Sequence, residues 1–154
     1  MSPRPRRRVR ALSVAAVRRD DGAVLVQRGH DPVTGAFFHR LVGGGIEFGE
    51  SAAEAVVREF DEELGARLQD VRLLGWLENR FELGGVPGHE VVAVHAGRLT
   101  QRRLLDRDDL GNIPGSTSTA CWVPVELLLG GPAPLVPAGV ADLLRAGWPC
   151  PTPD

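Results

Sequence analysis

A mixed β-sheet sandwiched between helices, an α/β/α fold, is what this sequence predicts. Three observations point there. Apolar runs of strand length, parted by Gly and Asp turns, dominate the first half of the chain. One strongly signalled helix, Ser51 to Leu64, interrupts them, and two helical segments lie near the end. A chain of 154 residues, 43% hydrophobic, suits one domain with a real core. That domain is expected over residues 9–147, after a basic disordered arm at 1–8 and before a Pro-rich tail at 148–154.

In chain order, Val9 to Arg18 and Ala23 to Arg28 predict strands around the hairpin turn Asp20-Asp21-Gly22. Phe37 to Val42 predicts a short strand stopped by Gly43-Gly44-Gly45. In the helix that follows, Ser51 and Glu54 make a capping box, and Gly65 supplies the stop. Val71 to Leu83 and Glu90 to Leu99 predict two strands around Gly84-Gly85-Val86-Pro87-Gly88. Thr100 to Ser118 is long, polar and aperiodic, and is expected as a substrate-shaping loop outside the core. Ala120 to Val123 predicts a last strand, and Pro124 opens a short helix through Leu129, stopped by Gly130-Gly131. Val140, Leu143 and Leu144, at i, i+3 and i+4, predict a terminal amphipathic helix.

Composition excludes more than it selects. The net charge of −2 gives no field for general nucleic-acid or membrane binding. All 18 basic residues are Arg, a pattern read as compositional. Cys121 and Cys150 have neither metal-ligand spacing nor a disulfide framework. Met1 to Arg10 lacks the apolar stretch of a signal peptide, and no run reaches the length of a membrane span. A cytoplasmic protein is expected, with nucleic acid and membrane absent from its partners and a homodimer allowed.

The chemistry concentrates between Gly44 and Ala66. On a helix, Glu59, Glu62 and Glu63 stand at i, i+3 and i+4 and share one face, with Arg58 the one nearby cation. Such a cluster is costly unless a cation sits among its oxygens, and hard carboxylate ligands select Mg²⁺ or Mn²⁺. Ala55, Val56 and Phe60 form the opposite face, expected to pack on the sheet. The glycine-rich loop before the helix, Gly44 included, lets backbone approach a ligand, and a helix start favours phosphate oxygens. Metal carboxylates beside a phosphate cradle suggest phosphoanhydride hydrolysis. The plainer reading, an acidic solvated face closed by a glycine turn, would suit E-x-x-E-E alone.

The whole segment resembles the Nudix box, G-x5-E-x7-R-E-U-x-E-E-x-G-U with U a bulky aliphatic. Gly44, Glu50, Arg58, Glu59, Glu62, Glu63 and Gly65 match it, with Phe60 and Ala66 in the U positions. The strand order, Trp122-Val123-Pro124 and the terminal helix look like the same family, so the resemblance spans nearly the whole domain. Val42 departs from the Pro that many members carry there, which removes a rigid turn and no chemical group. The resemblance implies a Nudix α/β/α sandwich and a MutT-like pyrophosphohydrolase, an acid-anhydride hydrolase acting on a nucleoside diphosphate linked to a further group X. It implies metal binding by Glu59 and Glu63, and by Glu62 unless that residue helps to deprotonate water. It implies an Arg58–Glu50 pair that orients the cluster, and a backbone carbonyl around Gly43 that completes the metal sphere.

Outside the box, Arg28 and Arg40 flank the expected site as bidentate phosphate donors or as surface strand positions. Glu90 is a charge at the start of an apolar strand, read evenly as a site residue or as an exposed strand end. Asp106, Asp108 and Asp109 read as turn formers, and His30, His39, His89 and His95 as structural or solvated. Phe37, Phe38, Trp76 and Phe81 suit either base stacking or the core, with the core favoured. Substrate signatures known from the resembling family are missing. There is no Tyr, Phe81 and Glu82 occupy the Pro position of ADP-ribose-specific members, and neither NADH-type nor coenzyme-A-type motifs occur. A nucleotide-sensing binding module on the same fold is the alternative. It is disfavoured because such modules tend to lose acidic box residues. An isomerase of this fold would need a cysteine nucleophile that is not placed here.

Overall fold

A computed structural model describes residues 7–147. The expected Pro-rich tail at 148–154, and residues 1–6 of the expected arm, lie outside the described residues. Arg7 and Arg8 are exposed and belong to no element.

Seven strands form one mixed sheet: β1 (Arg10–Val17), β2 (Ala23–His30), β3 (Phe37–Gly45), β4 (Gln69–Leu83), β5 (Val86–Arg98), β6 (Asp109–Asn112) and β7 (Thr119–Pro124). Their order is β4-β5-β1-β3-β2-β7-β6. β1 runs parallel to β5 and antiparallel to β3. Helix α1 (Ala52–Leu64) and the single turn α2 (Arg102–Leu105) supply apolar residues to one face of the sheet, while α3 (Val125–Gly130) and α4 (Gly139–Gly147) cover the other. Period-2 alternation divides the strands between these layers. Ala15, Val17, Leu25 and Val42 meet Val56 and Phe60 of α1, whereas Leu12, Val14, Val26 and Leu41 meet Leu128, Val140 and Leu144. The expected α/β/α sandwich is therefore the fold. Among the described residues, no helix is long and apolar enough to cross a membrane.

Three local expectations need correction. Gly43-Gly44-Gly45 do not stop β3. They continue it, pairing with Val14, Ser13 and Leu12 of β1. A Cβ at Gly43 would run into the Ser13 carbonyl, so the missing side chain is what lets the strands close here. The turn between β4 and β5 is also tighter than read, because Leu83 pairs with Val86 across Gly84 and Gly85, both at positive φ (58° and 77°).

Finally, Thr100 to Ser118 holds α2 and β6 and reaches the core through Leu104 and Ile113, both buried. The indole N–H of Trp122 donates to the Leu104 carbonyl at 2.8 Å. One apolar anchor in a single turn and one just past a four-residue strand leave no period to detect.

Candidate active site

Helix α1 is held at both ends by its own sequence. The Ser51 hydroxyl caps it by accepting from the Glu54 N–H at 3.1 Å. Gly65, left-handed at φ 57°, ends it by donating to the Asp61 carbonyl while Ala66 donates to that of Phe60. Ala55, Val56 and Phe60 are fully buried against the sheet, which turns the carboxylates toward the β3–α1 loop. A further tie comes from Ser13 of β1, whose hydroxyl donates to the Ala52 carbonyl in the first turn at 2.6 Å. Behind it, the His95 Nδ1–H donates to the Val14 carbonyl at 3.1 Å. Neither Ser13 nor His95 was singled out from the sequence as a site residue. The available signal was one small polar residue inside the apolar run Leu12 to Val17.

Arg58 is the hub of the cluster. Its Nε and Nη2 grip the two Glu50 oxygens at 3.1 and 2.6 Å, and Nη2 also donates to the Gly45 carbonyl at 2.8 Å. Nη1 reaches Glu59 at 3.0 Å and Glu62 at 3.1 Å. The Arg58 hydrogen bonds, with the Glu47 N–H beside them, hold the Glu50 carboxyl below its usual range. Glu50, in turn, raises the guanidinium's already high pKa.

Glu63 has no such partner. Its Oε2 is buried with no hydrogen bond, the one such side-chain atom among the described residues. Burial foremost, then the Glu59 charge, push its pKa up to about 7, against the opposing pull of Arg40. Glu59 lies against bare backbone: a Cβ at Gly44 would sit 2.6 and 2.7 Å from its two carboxylate oxygens.

These features suit a hard divalent cation. The donors are all oxygen, one buried oxygen lacks a partner, and Gly44 leaves room that a side chain would fill. No three His, Cys, Asp or Glu side chains among the described residues converge on one point, since Arg58 draws Glu59 and Glu62 to itself.

On the other face of the sheet opens a cleft of about 610 Å³. Leu12, Val14, Phe81 and Val92 form part of its wall, and the segment Pro132 to Val140 closes it. Arg40 and Glu90 both line it. Arg40 thus joins the two regions, facing the cleft while its charge reaches Glu63. Arg28 does not line the cleft. It lies on the exposed side of β2, and its Nε–H donates to His39 Nε2 at 3.1 Å. Glu90 is no exposed strand end, being 7% exposed.

Phe37, Phe38 and Phe81 line the cleft and Trp76 is half exposed, which corrects the expectation that the four belong to the core. The loop aspartates serve local structure: Asp108 accepts from Arg19 at 2.7 Å, Asp109 from the Gly111 N–H at 2.8 Å, and Asp106 pairs with Arg102 at 3.4 Å. Sequence reasoning missed Asn79 and the Pro132–Pro137 wall, although three prolines within six residues mark an ordered, rigid segment.

Known proteins share this architecture. The NUDIX domain family profile matches residues 7–145. The chain is similar to the MutT NUDIX hydrolase from Burkholderia pseudomallei, at 25% identity over 90% of this chain and 98% of that one, with a TM-score of 0.64. The E. coli ORF135 protein matches at 24% identity over 94% and 96% of the two chains, with a TM-score of 0.56. The NUDIX domain of Shewanella oneidensis NrtR, complexed with ADP ribose, matches at 17% identity over 94% and 92%, with a TM-score of 0.59. At those identities the last two speak for the fold alone.

Proposed function

The chain belongs to the Nudix family and is a MutT-like pyrophosphohydrolase; from that premise we propose that it hydrolyses a phosphoanhydride bond in a nucleoside diphosphate linked to X, with Mg²⁺ or Mn²⁺ held by Glu59, Glu63 and the Gly43 backbone and with Glu62 as the base. The observation that carries this reading is the buried, unpartnered Glu63 oxygen beside Glu59 and Glu62. A polypeptide gains nothing by burying an unpaired carboxylate, but a cation-binding site does.

When bound, the metal neutralises phosphate charge and makes water more acidic. The chain's own groups do the rest. Arg58 fixes Glu50, Glu59 and Glu62 relative to the Gly45 backbone, so the carboxylates are ordered before substrate arrives. Glu62, whose side chain is 58% exposed against 15% for Glu59, is the carboxylate with open access to water and takes its proton. Arg40 holds a phosphate at the junction of the two regions, and the apolar cleft holds the nucleoside. A nucleotide substrate supports a cytoplasmic location for the enzyme.

The test is a nucleotide panel assayed with Mg²⁺, with Mn²⁺ and with chelator. Phosphoanhydride cleavage is expected only with divalent metal, and Glu62→Gln is expected to lower kcat by about a hundredfold or more with the fold intact. Metal-independent cleavage, or normal turnover by the variant at saturating metal, would refute the assignment. Nucleotide binding with no turnover at all would favour the sensing module.

A further inference from the structure

We propose that Glu90 and Asn79 form a base-reading pair in the cleft and select guanine among the nucleobases. This deepens the proposed function and rests on the cleft being the nucleoside site.

Glu90 is 7% exposed and lines the cleft, as does Asn79. Among the described residues, no hydrogen bond or ion pair is formed by either side chain. The Glu90 oxygens are not sealed in, since Glu63 Oε2 is the one unpartnered side-chain atom wholly buried. They open onto the cleft. Leu12, Phe81 and Val92 share the wall with them and donate no hydrogen bond, and Arg10, which stands opposite Glu90 across β1 and β5, makes no ion pair with it. Arg40, the cation on the same wall, makes no ion pair with Glu90. Burying a carboxylate among apolar groups is expensive unless donors reach it, and no side chain supplies them. The ligand must.

The register fixes what the pair can recognise. Glu90 of β5 stands directly opposite Asn79 of β4. Directly opposed residues share a face of the sheet, with Cβ atoms about 4.5–5.5 Å apart. The carboxylate offers two adjacent acceptors, and the Asn79 amide adds an N–H₂ donor beside them. The matching heterocycle edge reads acceptor, donor, donor.

Guanine has that edge, with O6, N1–H and the 2-amino group in a row. Adenine and cytosine put a ring acceptor beside a single amino donor, so one of their lone pairs would face a Glu90 oxygen. Uracil and thymine place one N–H between two carbonyls, with the same conflict. Glu90 therefore takes the N1 and 2-amino hydrogens, and Asn79 donates to O6. Asp31 also lines the cleft, but its oxygens already accept from the Val33, Thr34 and Gly84 N–H groups.

Calorimetric titration of the intact protein with GMP, IMP, AMP, CMP and UMP tests this, alongside turnover of the matching triphosphates with Mg²⁺. IMP keeps O6 and N1–H and lacks the 2-amino group. GMP is expected to bind about 10- to 100-fold more tightly than IMP, the value of one hydrogen bond to a charged acceptor. Glu90→Gln, with an unchanged melting temperature, should bring that ratio to within about threefold. Asn79→Ala should weaken GMP and IMP equally, because both carry O6.

Equal binding of GMP and IMP by the unmodified protein overturns the proposal, and that comparison needs no variant to fold. So does a Glu90→Gln variant that loses kcat uniformly across bases with their ranking unchanged, which would place Glu90 in the hydrolytic chemistry. If the guanine preference holds while no nucleotide is cleaved, the pair stands and the hydrolase reading falls. Hydrolysis without base preference gives the reverse.

Discussion

The carboxylate cluster and the cleft lie on opposite faces of one sheet and are built in opposite ways. The cluster comes from a single stretch, Gly43 to Gly65, and is dense in charge. The cleft draws on β1, β3, β4, β5 and the Pro132–Val140 segment, and its wall is mostly apolar. Contiguity lets one helix and one loop preset distances among reactive groups. Dispersal lets a pocket change its selectivity residue by residue while the chemistry stays put. On the proposed reading the reaction and the choice of substrate are separable, and Arg40 marks the seam.

Breaking the cluster while sparing the cleft should give the largest effect. In Gly44→Ala, the new Cβ would meet the Glu59 carboxylate at less than van der Waals distance and displace it. Activity at limiting Mg²⁺ should fall by about 10- to 100-fold, the usual cost of disturbing the support of a metal ligand. The ranking of bases should not change. A shifted ranking would show that cluster and cleft are not independent.

Metal itself should separate the regions next. A cation that binds the folded cluster and not the dispersed carboxylates adds about 2.7 kcal/mol at a hundred times its dissociation constant. For a domain of this size that raises the melting temperature by roughly 5–10 °C over the chelated protein. Glu62→Gln should melt higher than the unmodified protein without metal, because one repelling charge is gone, and gain less with it. Identical curves in Mg²⁺ and in Na⁺ at matched ionic strength would deny the cluster its cation.

The smallest effect is a pair of opposed pH slopes. Glu63 titrates at about 7 in the folded protein against an ordinary value of 4.5. The folded state then holds its proton more tightly, so metal-free stability declines as pH rises from about 4.5 to 7, and Glu63→Gln should flatten that decline. On the cleft side, burial foremost and then Arg28 hold the His39 pKa below 6.5, against the upward pull of its Nδ1 contact with the Ala133 carbonyl. The unfolded chain binds that proton first, so stability falls as pH drops below about 6.5, and His39→Gln should remove this second slope. Melting temperatures across pH 4 to 8, in chelator, read both. A Glu63→Gln profile parallel to that of the unmodified protein would sink the first.

What the sequence revealed follows the same division. The α1 segment was legible because its capping, apolar face and carboxylate spacing all repeat with the helix and lie within 23 consecutive residues. The α/β/α layering was legible from strand and helix periods. Asn79 was not, because its meaning depends on standing opposite Glu90, a pairing set by a two-residue turn that was read as five. Leu104 and Ile113 were hidden because an anchor in a single turn, or one just past a four-residue strand, has no period to display. Gly43 and Gly44 looked like a strand stop, and only the approach of Ser13 and Glu59 shows why no side chain fits there.

The guanidinium of Arg58 has five N–H bonds, and five acceptor contacts meet it: two from Glu50 and one each from Gly45, Glu59 and Glu62. None is left over. A lysine at this position would bring three donors on a flexible stem and strand two of the five oxygens. In mutational terms the site has no near neighbour: each one-step replacement of Arg58 opens several defects together, and no single compensating change closes them. Drift elsewhere in the domain can proceed by small increments, whereas position 58 offers lineages of this chain no gradual route away from arginine.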